Sequence, residues 1–390
     1  MPTWDIMHGS RAVAEAVKLC SVDVISAYPI TPQTHIVEDL AKMAADGEIK
    51  GEYIKVESEH SAMTVVIAAC ATGARTFTAT ASQGLALMHE MLFVASGMRL
   101  PIVMVNANRA LSAPINIWND QQDSIAERDA GWIQLYVETN QEALDSTIMA
   151  YRIGEDKGVL LPVMVCMDGF VLTHTVEPVE VPDQEDVLKF LPQYKPELYL
   201  DPKKPMAQGA FADPSVYMEL RFEQQKAIEN SLEVIKDVDK EFKKIFGRGY
   251  GGLIEEFNMK GAEVVIVTLG SVAGTIKDVI QELEDNSVGL LRIKAFRPLP
   301  KEEIKKALEK AKVVGVIEKD VSIGLGQGAL ASEIRDVMYG QGKAPKVISF
   351  VAGLGGRDIG LDSIKGVISV CKKALEEEVG DVHWVDLKTE

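Results

Sequence analysis

A short polar run between two apolar segments is the first place where this sequence has residues suited to chemistry. The run Lys55-Val56-Glu57-Ser58-Glu59-His60-Ser61-Ala62 joins a predicted strand, 51–56, to an apolar stretch, 62–71, that predicts a buried helix. A carboxylate in such a low-dielectric setting can exchange a proton near neutral pH or bond a cofactor ring nitrogen. Capping is the alternative, because Ser58 is a good N-cap residue and acids favour the first helical turn. On this segment alone the capping role is favoured.

Thr31 and Arg109 each follow a predicted strand and are the next candidates. In Tyr28-Pro29-Ile30-Thr31-Pro32 the two prolines stiffen the turn and fix the direction of the Thr31 hydroxyl, which suits a donor to a substrate. The same hydroxyl could instead N-cap a helix that begins at Pro32, and the local pattern favours that role. Arg109 follows strand 101–105, and a single arginine at the carboxyl edge of a sheet suits an anionic ligand such as a carboxylate. A surface salt bridge is its ordinary alternative.

Two polar loops complete this set of candidates. Ser82-Gln83-Gly84 follows the third predicted strand, and Asn116-Ile117-Trp118-Asn119-Asp120-Gln121-Gln122-Asp123 contains one large aromatic residue. Either loop could cap a helix or contact another subunit. Because loops from several parallel strands meet at one edge of a sheet, their combination favours a site there more than any single motif does.

Alternating strands and helices predict the sheet that would bring these loops together. Strands are predicted at 22–27, 51–56, 76–80, 101–105 and 159–167, with helices near 33–46, 60–72, 83–97 and 139–153. This alternation predicts an α/β fold, in which a mostly parallel, doubly wound sheet is covered by helices on both faces.

A change of composition then separates two predicted domains. Seven prolines between 178 and 214 accompany many charges and predict a linker, 176–255, that includes a helix over 216–246. From residue 262 a second alternation predicts strands 263–269, 288–295, 313–318 and 346–351 and helices 273–285, 301–311, 328–339 and 361–378. The predicted domains are therefore 1–175 and a smaller α/β domain, 256–390.

Two glycine-rich runs in the second predicted domain are weak indications of nucleotide binding. Residues 324–328 and 353–358 both follow predicted strands, but neither has the G-x-G-x-x-G spacing. Tight turns at the carboxyl edge of a sheet are therefore favoured over phosphate binding.

Composition and charge narrow the classes of function. The chain has 390 residues, 47% of them hydrophobic, and no apolar run approaches the roughly 20 residues that a membrane span needs. A net charge of -17 disfavours a nucleic-acid partner. The four cysteines lie far apart without a C-x-x-C motif, so we expect reduced thiols in a cytoplasmic protein. No metal or cluster site is predicted on this chain.

Taken together, the motifs resemble those of a known family. Tyr28-Pro29-Ile30-Thr31-Pro32, Glu57-Ser58-Glu59-His60-Ser61-Ala62, Thr78-Ala79-Thr80-Ala81-Ser82-Gln83-Gly84 and Arg109-Ala110-Leu111-Ser112-Ala113-Pro114 closely resemble the alpha subunit of pyruvate:ferredoxin oxidoreductase, in the 2-oxoacid:ferredoxin oxidoreductase family. Thr268-Leu269-Gly270-Ser271, Phe296-Arg297-Pro298-Leu299-Pro300 and Gly353-Leu354-Gly355-Gly356-Arg357-Asp358 are similar to that subunit's transketolase C-terminal-like domain. The resemblance implies a pyrimidine-type thiamine diphosphate-binding domain followed by a transketolase C-terminal-like domain.

The resemblance also implies an activity and roles for the candidate residues. The enzyme would oxidatively decarboxylate pyruvate, transfer the acetyl group to coenzyme A and reduce ferredoxin, reversibly. Glu59 would hydrogen-bond the aminopyrimidine ring of thiamine diphosphate, and the Ser82-Gln83-Gly84 motif would contact the cofactor. Thr31 would bond the substrate and Arg109 would neutralise its carboxylate. For Glu59 the resemblance reverses the preference for capping, and for Thr31 and Arg109 it does so less strongly.

The sequence lacks one pattern that this activity needs. Thiamine enzymes have a diphosphate–magnesium site that resembles Gly-Asp-Gly followed by Asn, and no such sequence occurs here. The resemblance therefore implies that a beta subunit shares the cofactor and its Mg²⁺, and that partner chains, among gamma and delta subunits, carry [4Fe-4S] clusters. Three alternatives stay open: a sister enzyme for a branched-chain 2-oxoacid such as 2-oxoisovalerate, a non-catalytic scaffold subunit, and the beta chain of a lipoamide-linked 2-oxoacid dehydrogenase.

Overall fold

Strands and helices alternate along most of the chain in a computed structural model that describes residues 2–340, 342 and 344–388. The strands are β1 (Thr3–His8), β2 (Val24–Ser26), β3 (Glu52–Ile54), β4 (Thr76–Thr80), β5 (Val103–Asn108), β6 (Ile133–Tyr136), β7 (Val163–Asp168), β8 (Val176–Val181), β9 (Ile254–Phe257), β10 (Val264–Thr268), β11 (Val288–Ile293), β12 (Ala295–Arg297), β13 (Val313–Glu318), β14 (Lys346–Val351) and β15 (Val382–Trp384). The helices are α1 (Gly9–Leu19), α2 (Thr34–Ala45), α3 (Glu59–Ala71), α4 (Ser82–Leu87), α5 (His89–Gly97), α6 (Gln122–Ala126), α7 (Asn140–Gly154), α8 (Gln184–Phe190), α9 (Tyr217–Phe246), α10 (Val272–Leu283), α11 (Lys301–Leu308), α12 (Ala329–Met338) and α13 (Leu361–Lys373).

The first sheet carries the loops that the sequence singled out. Within the described residues it has seven strands in the order β12-β6-β7-β5-β4-β2-β3, and all neighbours are parallel except β12 and β6. Every residue of β4, β5 and β7 is buried, as in central strands that are covered on both faces. Helices α1, α2 and α7 pack on one face, and α3, α4 and α5 pack on the other. The predicted doubly wound α/β sheet is confirmed.

The second sheet is joined to the first by one short strand. In the described part of the chain it has the order β15-β14-β13-β10-β11-β9, in which only β9 is antiparallel to its neighbour. The sequence predicted one strand over 288–295, but the chain leaves this sheet after Ile293 and enters the first sheet as β12. A third, smaller element is the antiparallel ribbon of β1 and β8.

Several local predictions can be compared with these elements. Ser58 is the N-cap of α3, as predicted, and its hydroxyl accepts a hydrogen bond from the Ser61 N–H. The prediction that Thr31 caps a helix starting at Pro32 is wrong, because α2 begins at Thr34. The side-chain amide of Gln33 donates to the Ala79 carbonyl at 2.8 Å, so a contact with β4 fixes this turn.

The proline-rich region is more ordered than the sequence predicted. It contains the edge strand β8 and helix α8 before the long helix α9, which the sequence did predict. The division of the chain at residues 175 and 255 stays a prediction. None of the helices in the described residues combines the length and the apolar character that crossing a membrane requires.

Buried ion pairs connect α7 to the second sheet. The guanidinium of Arg292 in β11 donates to both carboxylate oxygens of Glu142, at 2.8 and 3.1 Å, and both side chains are almost fully buried. Burial alone would raise the pKa of the Glu142 carboxyl, but Arg292 and Lys294 hold it below its ordinary value of 4.5. The pair therefore stabilises the folded chain above the ordinary carboxyl pKa, and this contribution is lost as the pH falls through the lowered value.

Replacing Arg292 with methionine should destabilise the chain strongly. The change leaves the Glu142 carboxylate buried without its main partner, which costs about 3–5 kcal/mol. Urea unfolding at pH 7 measures the effect, and the difference from the natural chain should shrink as the pH is lowered below 4.5. Lys312→Met is the control, because the Lys312–Glu263 pair is exposed and should contribute less than about 1 kcal/mol. Equal losses in the two variants would contradict the prediction.

Candidate active site

Glu59 lies at the start of α3, where the capping turn brings it to the carboxyl edge of the first sheet. Glu59 is only 7% exposed. The neighbouring acid Glu57 is exposed and accepts a hydrogen bond from the Ser61 hydroxyl. Among the described residues the Glu59 carboxylate has no hydrogen-bond partner. Most of the side chain is covered, but its carboxylate oxygens reach the surface, where a ligand or another chain can supply a donor. The geometry therefore leaves Glu59 ready to accept a hydrogen bond.

Gly84 forms one wall of the space around this carboxylate. A methyl group added at Gly84 would lie 2.7 Å from Glu59 Oε1 and 2.4 Å from Thr80 Oγ1. The Thr80 hydroxyl is itself buried and has no hydrogen-bond partner within the described part of the chain. Glycine is therefore needed here for close approach, and two polar groups without partners lie beside it.

Ser82 and Gln83 connect this wall to the loop after β5. Ser82 has a left-handed backbone with φ of 50°, and its hydroxyl donates to the Ala110 carbonyl at 2.5 Å. The Gln83 side-chain amide donates to the Ser112 hydroxyl. The loops that follow β4 and β5 are thus joined by side-chain hydrogen bonds.

Arg109 is held by two backbone carbonyls. Its Nε donates to the Asn116 carbonyl and its Nη1 to the Thr31 carbonyl, each at 2.8 Å, and the residue is 5% exposed. Burial lowers the pKa of the guanidinium, and the Asp123 carboxylate opposes that change. Nη2 has no acceptor among the described residues, where Arg109 also forms no ion pair, so the surface salt bridge considered from the sequence is not found. Its free N–H groups suit an anionic ligand.

Thr31 is adjacent to Arg109 but contributes its backbone to this contact. The residue is exposed at the turn between β2 and α2, and its hydroxyl has no hydrogen-bond partner in the part of the chain that the structure describes. The hydroxyl is therefore available to a ligand at the same sheet edge as the arginine.

The residues predicted from the sequence form one line of contacts. Thr31 touches Arg109, the backbone that follows Arg109 accepts from Ser82, and Gly84 lies against Glu59. At one end of this line the Glu59 carboxylate lacks a donor, and at the other end the Arg109 guanidinium lacks an anion. Such an arrangement can bind a polar ring at one end and a carboxylate at the other.

Asp123 organises these loops and was not singled out as a site residue from the sequence. Its buried carboxylate accepts from the backbone N–H groups of Ser82 and Arg109 and from the side-chain amides of Asn106 and Asn108. Burial raises the pKa of this carboxyl, and the N–H donors oppose the change. The sequence did contain a signal for such a residue, because Asn106 and Asn108 lie two apart in a strand and their side chains therefore face the same side. Two buried amides on one face require a polar partner there.

Two family models match the chain. Residues 15–240 match "Pyruvate flavodoxin/ferredoxin oxidoreductase, thiamine diP-bdg" and residues 262–364 match "Pyruvate:ferredoxin oxidoreductase core domain II". The chain belongs to the pyruvate flavodoxin/ferredoxin oxidoreductase family. The family resemblance seen in the motifs is confirmed, and so is a thiamine diphosphate-binding fold.

Relatives in this family align with the chain from end to end. Pyruvate synthase subunit PorA of Methanocaldococcus jannaschii is 58% identical over 98% of this chain and 98% of the relative. The PorA subunit of Pyrococcus abyssi is 50% identical over the full length of both. Ketoisovalerate oxidoreductase subunit VorA of Pyrococcus horikoshii is 44% identical over 99% of both. The chain is thus similar to subunits named for two different 2-oxoacids.

Solved structures of low identity share the fold. A 2-oxoglutarate:ferredoxin oxidoreductase from Magnetococcus marinus superposes with a TM-score of 0.70 at 22% identity, over 94% of this chain and 65% of that chain. A split-gene transketolase superposes with a TM-score of 0.54 at 12% identity, over 95% of this chain and 98% of that chain. Both support the α/β architecture that the oxidoreductase family and the transketolase share.

Proposed function

We propose that this chain is the alpha subunit of a pyruvate:ferredoxin oxidoreductase that works as a hetero-oligomer. The enzyme converts pyruvate, coenzyme A and oxidised ferredoxin to acetyl-CoA, carbon dioxide and reduced ferredoxin, and the reaction is reversible. One observation carries the proposal: Glu59 is buried at the start of α3, and its carboxylate has no partner among the described residues. The identity of 58% to a pyruvate synthase subunit supports pyruvate as the substrate.

Glu59 and its neighbours suit the aminopyrimidine ring of thiamine diphosphate. The Glu59 carboxyl would hold the proton that it shares with a ring nitrogen, so that it accepts a hydrogen bond once the ring is protonated. The Ser82-Gln83-Gly84 motif forms the adjacent wall, where Gly84 leaves room beside the carboxylate and Thr80 offers a free hydroxyl. When bound, thiamine diphosphate supplies a carbon nucleophile for the keto group of a 2-oxoacid.

Arg109 and Thr31 suit the 2-oxoacid substrate. The free N–H groups of the guanidinium donate to the pyruvate carboxylate, and the charge balances it until carbon dioxide leaves. The exposed Thr31 hydroxyl lies beside the arginine and donates to a substrate oxygen. The backbone carbonyls of Thr31 and Asn116 fix the guanidinium, so the substrate meets a preorganised donor.

Partner subunits complete the assembly in this proposal. A beta subunit holds the diphosphate and its Mg²⁺, since this sequence has no Gly-Asp-Gly followed by Asn. Other chains, among them gamma and delta subunits, carry the [4Fe-4S] clusters and pass electrons to ferredoxin. Residues 1–175 form the pyrimidine-binding domain, 176–255 the linker and 256–390 the transketolase C-terminal-like domain. We also propose a cytoplasmic location, in keeping with four cysteine thiols that are all buried and unpaired within the described residues.

An activity assay on the assembled complex tests the substrate. The chain is co-expressed with its genomic neighbours, and the purified complex is assayed for coenzyme A-dependent reduction of a viologen dye. Pyruvate and 2-oxoisovalerate are compared at equal concentrations. A strong preference for pyruvate supports the proposal, whereas a preference for 2-oxoisovalerate would assign the chain to the branched-chain enzyme, as the 44% identical relatives suggest. No dye reduction with either 2-oxoacid would favour a scaffold subunit or a substrate that was not tested.

Replacing Gly84 with alanine should lower this activity at least tenfold. The added methyl group would displace the Glu59 carboxylate or the Thr80 hydroxyl, since both lie within 2.7 Å of its position. A misplacement of about 1 Å in a catalytic group can cost about 100-fold in rate. Gly366→Ala is the matched control, because Gly366 also lies within a helix and a methyl group there meets nothing within 4 Å. Equal activity of both variants would contradict the proposed place of Glu59.

A further inference from the structure

The first sheet and its helices are here called the first unit, and the second sheet and its helices the second unit. The turn after β14 is one of the parts of the second unit that approach the candidate site, together with the segment after β13. The backbone of the turn is left-handed at Gly353, Gly355 and Gly356, with φ values of 67°, 61° and 82°. Residues with a side chain rarely adopt this conformation, so the turn requires glycine on backbone grounds alone. The sequence predicted a tight turn here and gave it no role.

Side chains of the loop 116–120 in the first unit bond the backbone of this turn. The Asn116 side-chain amide donates to the Gly355 carbonyl at 3.0 Å, and the Gly355 N–H donates to the Asp120 carboxylate at 3.1 Å. A methyl group at Gly355 would lie 2.6 Å from Asn116 Nδ2, and one at Gly356 would lie 2.3 Å from Trp118 Cβ. Glycine is therefore needed for contact as well as for conformation.

The same loop holds Arg109 from its other side. The Asn116 carbonyl accepts from Arg109 Nε at 2.8 Å, and the Trp118 carbonyl accepts from the Ala110 N–H at 3.1 Å. Asn116 thus bonds the turn through its side chain and the arginine through its backbone. A shift of the turn would move the Asn116 carbonyl, which is one of two acceptors that set the direction of the guanidinium.

We infer that the turn 353–356 is a positioning element for substrate recognition, which holds the Arg109 guanidinium in place through Asn116. The inference rests on the proposed role of Arg109 as the donor to the substrate carboxylate. It assigns to the second unit a share in the binding of the 2-oxoacid, although none of its residues need touch the substrate.

Gly355→Ala in the assembled complex is the main test. The variant should raise KM for pyruvate about 10- to 100-fold, because a displaced guanidinium binds the carboxylate poorly. The affinity for thiamine diphosphate should change far less, since loop 116–120 meets Ser82 indirectly, through the Ala110 backbone. Gly324→Ala is the matched control: Gly324 also has a positive φ, 95°, in the same unit, but a methyl group there meets nothing within 4 Å. Backbone strain alone would affect both variants.

Two further variants separate a positioning role from a structural one. Asn116→Ala removes the bond to the Gly355 carbonyl without straining the turn and leaves the bond from Gly355 to Asp120, so it should raise KM in the same direction but less. In an Arg109→Gln background, Gly355→Ala should raise KM no further, because the group through which the turn acts is gone. An additional rise in that background, or an unchanged KM in Gly355→Ala alone, overturns the inference. If Arg109→Gln itself left KM unchanged, the proposed role of Arg109 would fail first, and the inference with it.

Discussion

Replacing Glu59 with glutamine should lower the turnover of the assembled enzyme by about 10²- to 10⁴-fold, the range typical of a lost acid–base group. The substitution keeps the shape of the side chain and removes only its charge. The residue is largely buried, but its carboxylate oxygens reach the surface and have no partner among the described residues, so the structure gives the charge no role in holding the chain together. We therefore expect unchanged assembly and an unchanged unfolding temperature. Coenzyme A-dependent reduction of a viologen dye by pyruvate measures the turnover.

Glu57→Gln is the matched control for that experiment. Glu57 is an acid of the same type two residues away, but it is exposed and accepts a hydrogen bond from the Ser61 hydroxyl. Its variant should retain the activity of the natural enzyme. Full activity of the Glu59 variant would instead support the non-catalytic scaffold, because a scaffold has no need of this carboxylate. Loss of assembly in the Glu59 variant would indicate a structural role.

Replacing Arg109 with glutamine should lower kcat/KM for pyruvate by about 10- to 100-fold, the range that corresponds to a charge-assisted hydrogen bond of about 1.5–3 kcal/mol. Glutamine loses the positive charge and the N–H groups that have no acceptor in the described structure. Most of the effect should appear in KM, since the carboxylate is bound before carbon dioxide leaves. Initial rates over a range of pyruvate concentrations separate KM from kcat.

Arg109→Lys sharpens the interpretation of that result. Lysine keeps the charge but has no planar fork with which to bond two carbonyls and a carboxylate together. We therefore expect a loss between those of the natural enzyme and the glutamine variant. Two variants with equal and small losses would show that the arginine has a structural role in holding loop 116–120. In that case the substrate carboxylate must bind elsewhere.

The sequence predicted elements best where a run of β-branched residues is bounded by turns. Strands 313–318 and 346–351 were predicted with the limits that the structure has. Helix α9 was predicted within one residue from a different signal, its helical periodicity before a glycine-rich break. The start of α2 was predicted wrongly because Pro32 favours a first helical position, whereas the contact between Gln33 and Ala79 sets the turn. Strand β12 was missed as a separate element, because its pairing with β6 depends on residues far away in sequence.

In the candidate site, too, contacts between residues far apart in sequence could not be predicted. Each polar motif could be recognised beside its strand, since a polar residue after an apolar run is a local pattern. The order in which these motifs touch depends on Asp123 and Asn116, which join loops from different strands and from the second unit. Such contacts have large sequence separations and leave no local periodicity. The sequence could therefore single out these loops but could not predict how they support one another.

Strand β12 has a consequence for the way in which the chain can be divided. The outer strand of a sheet carries unpaired N–H and C=O groups, and exposed edges of this kind promote aggregation. Here β6 would be such an edge, and three residues of the second half of the chain cover it. A fragment cut within the linker would carry β6 uncovered, so the two halves are best regarded as one folding unit. Shuffling of domains at the linker would have to supply a substitute for this strand.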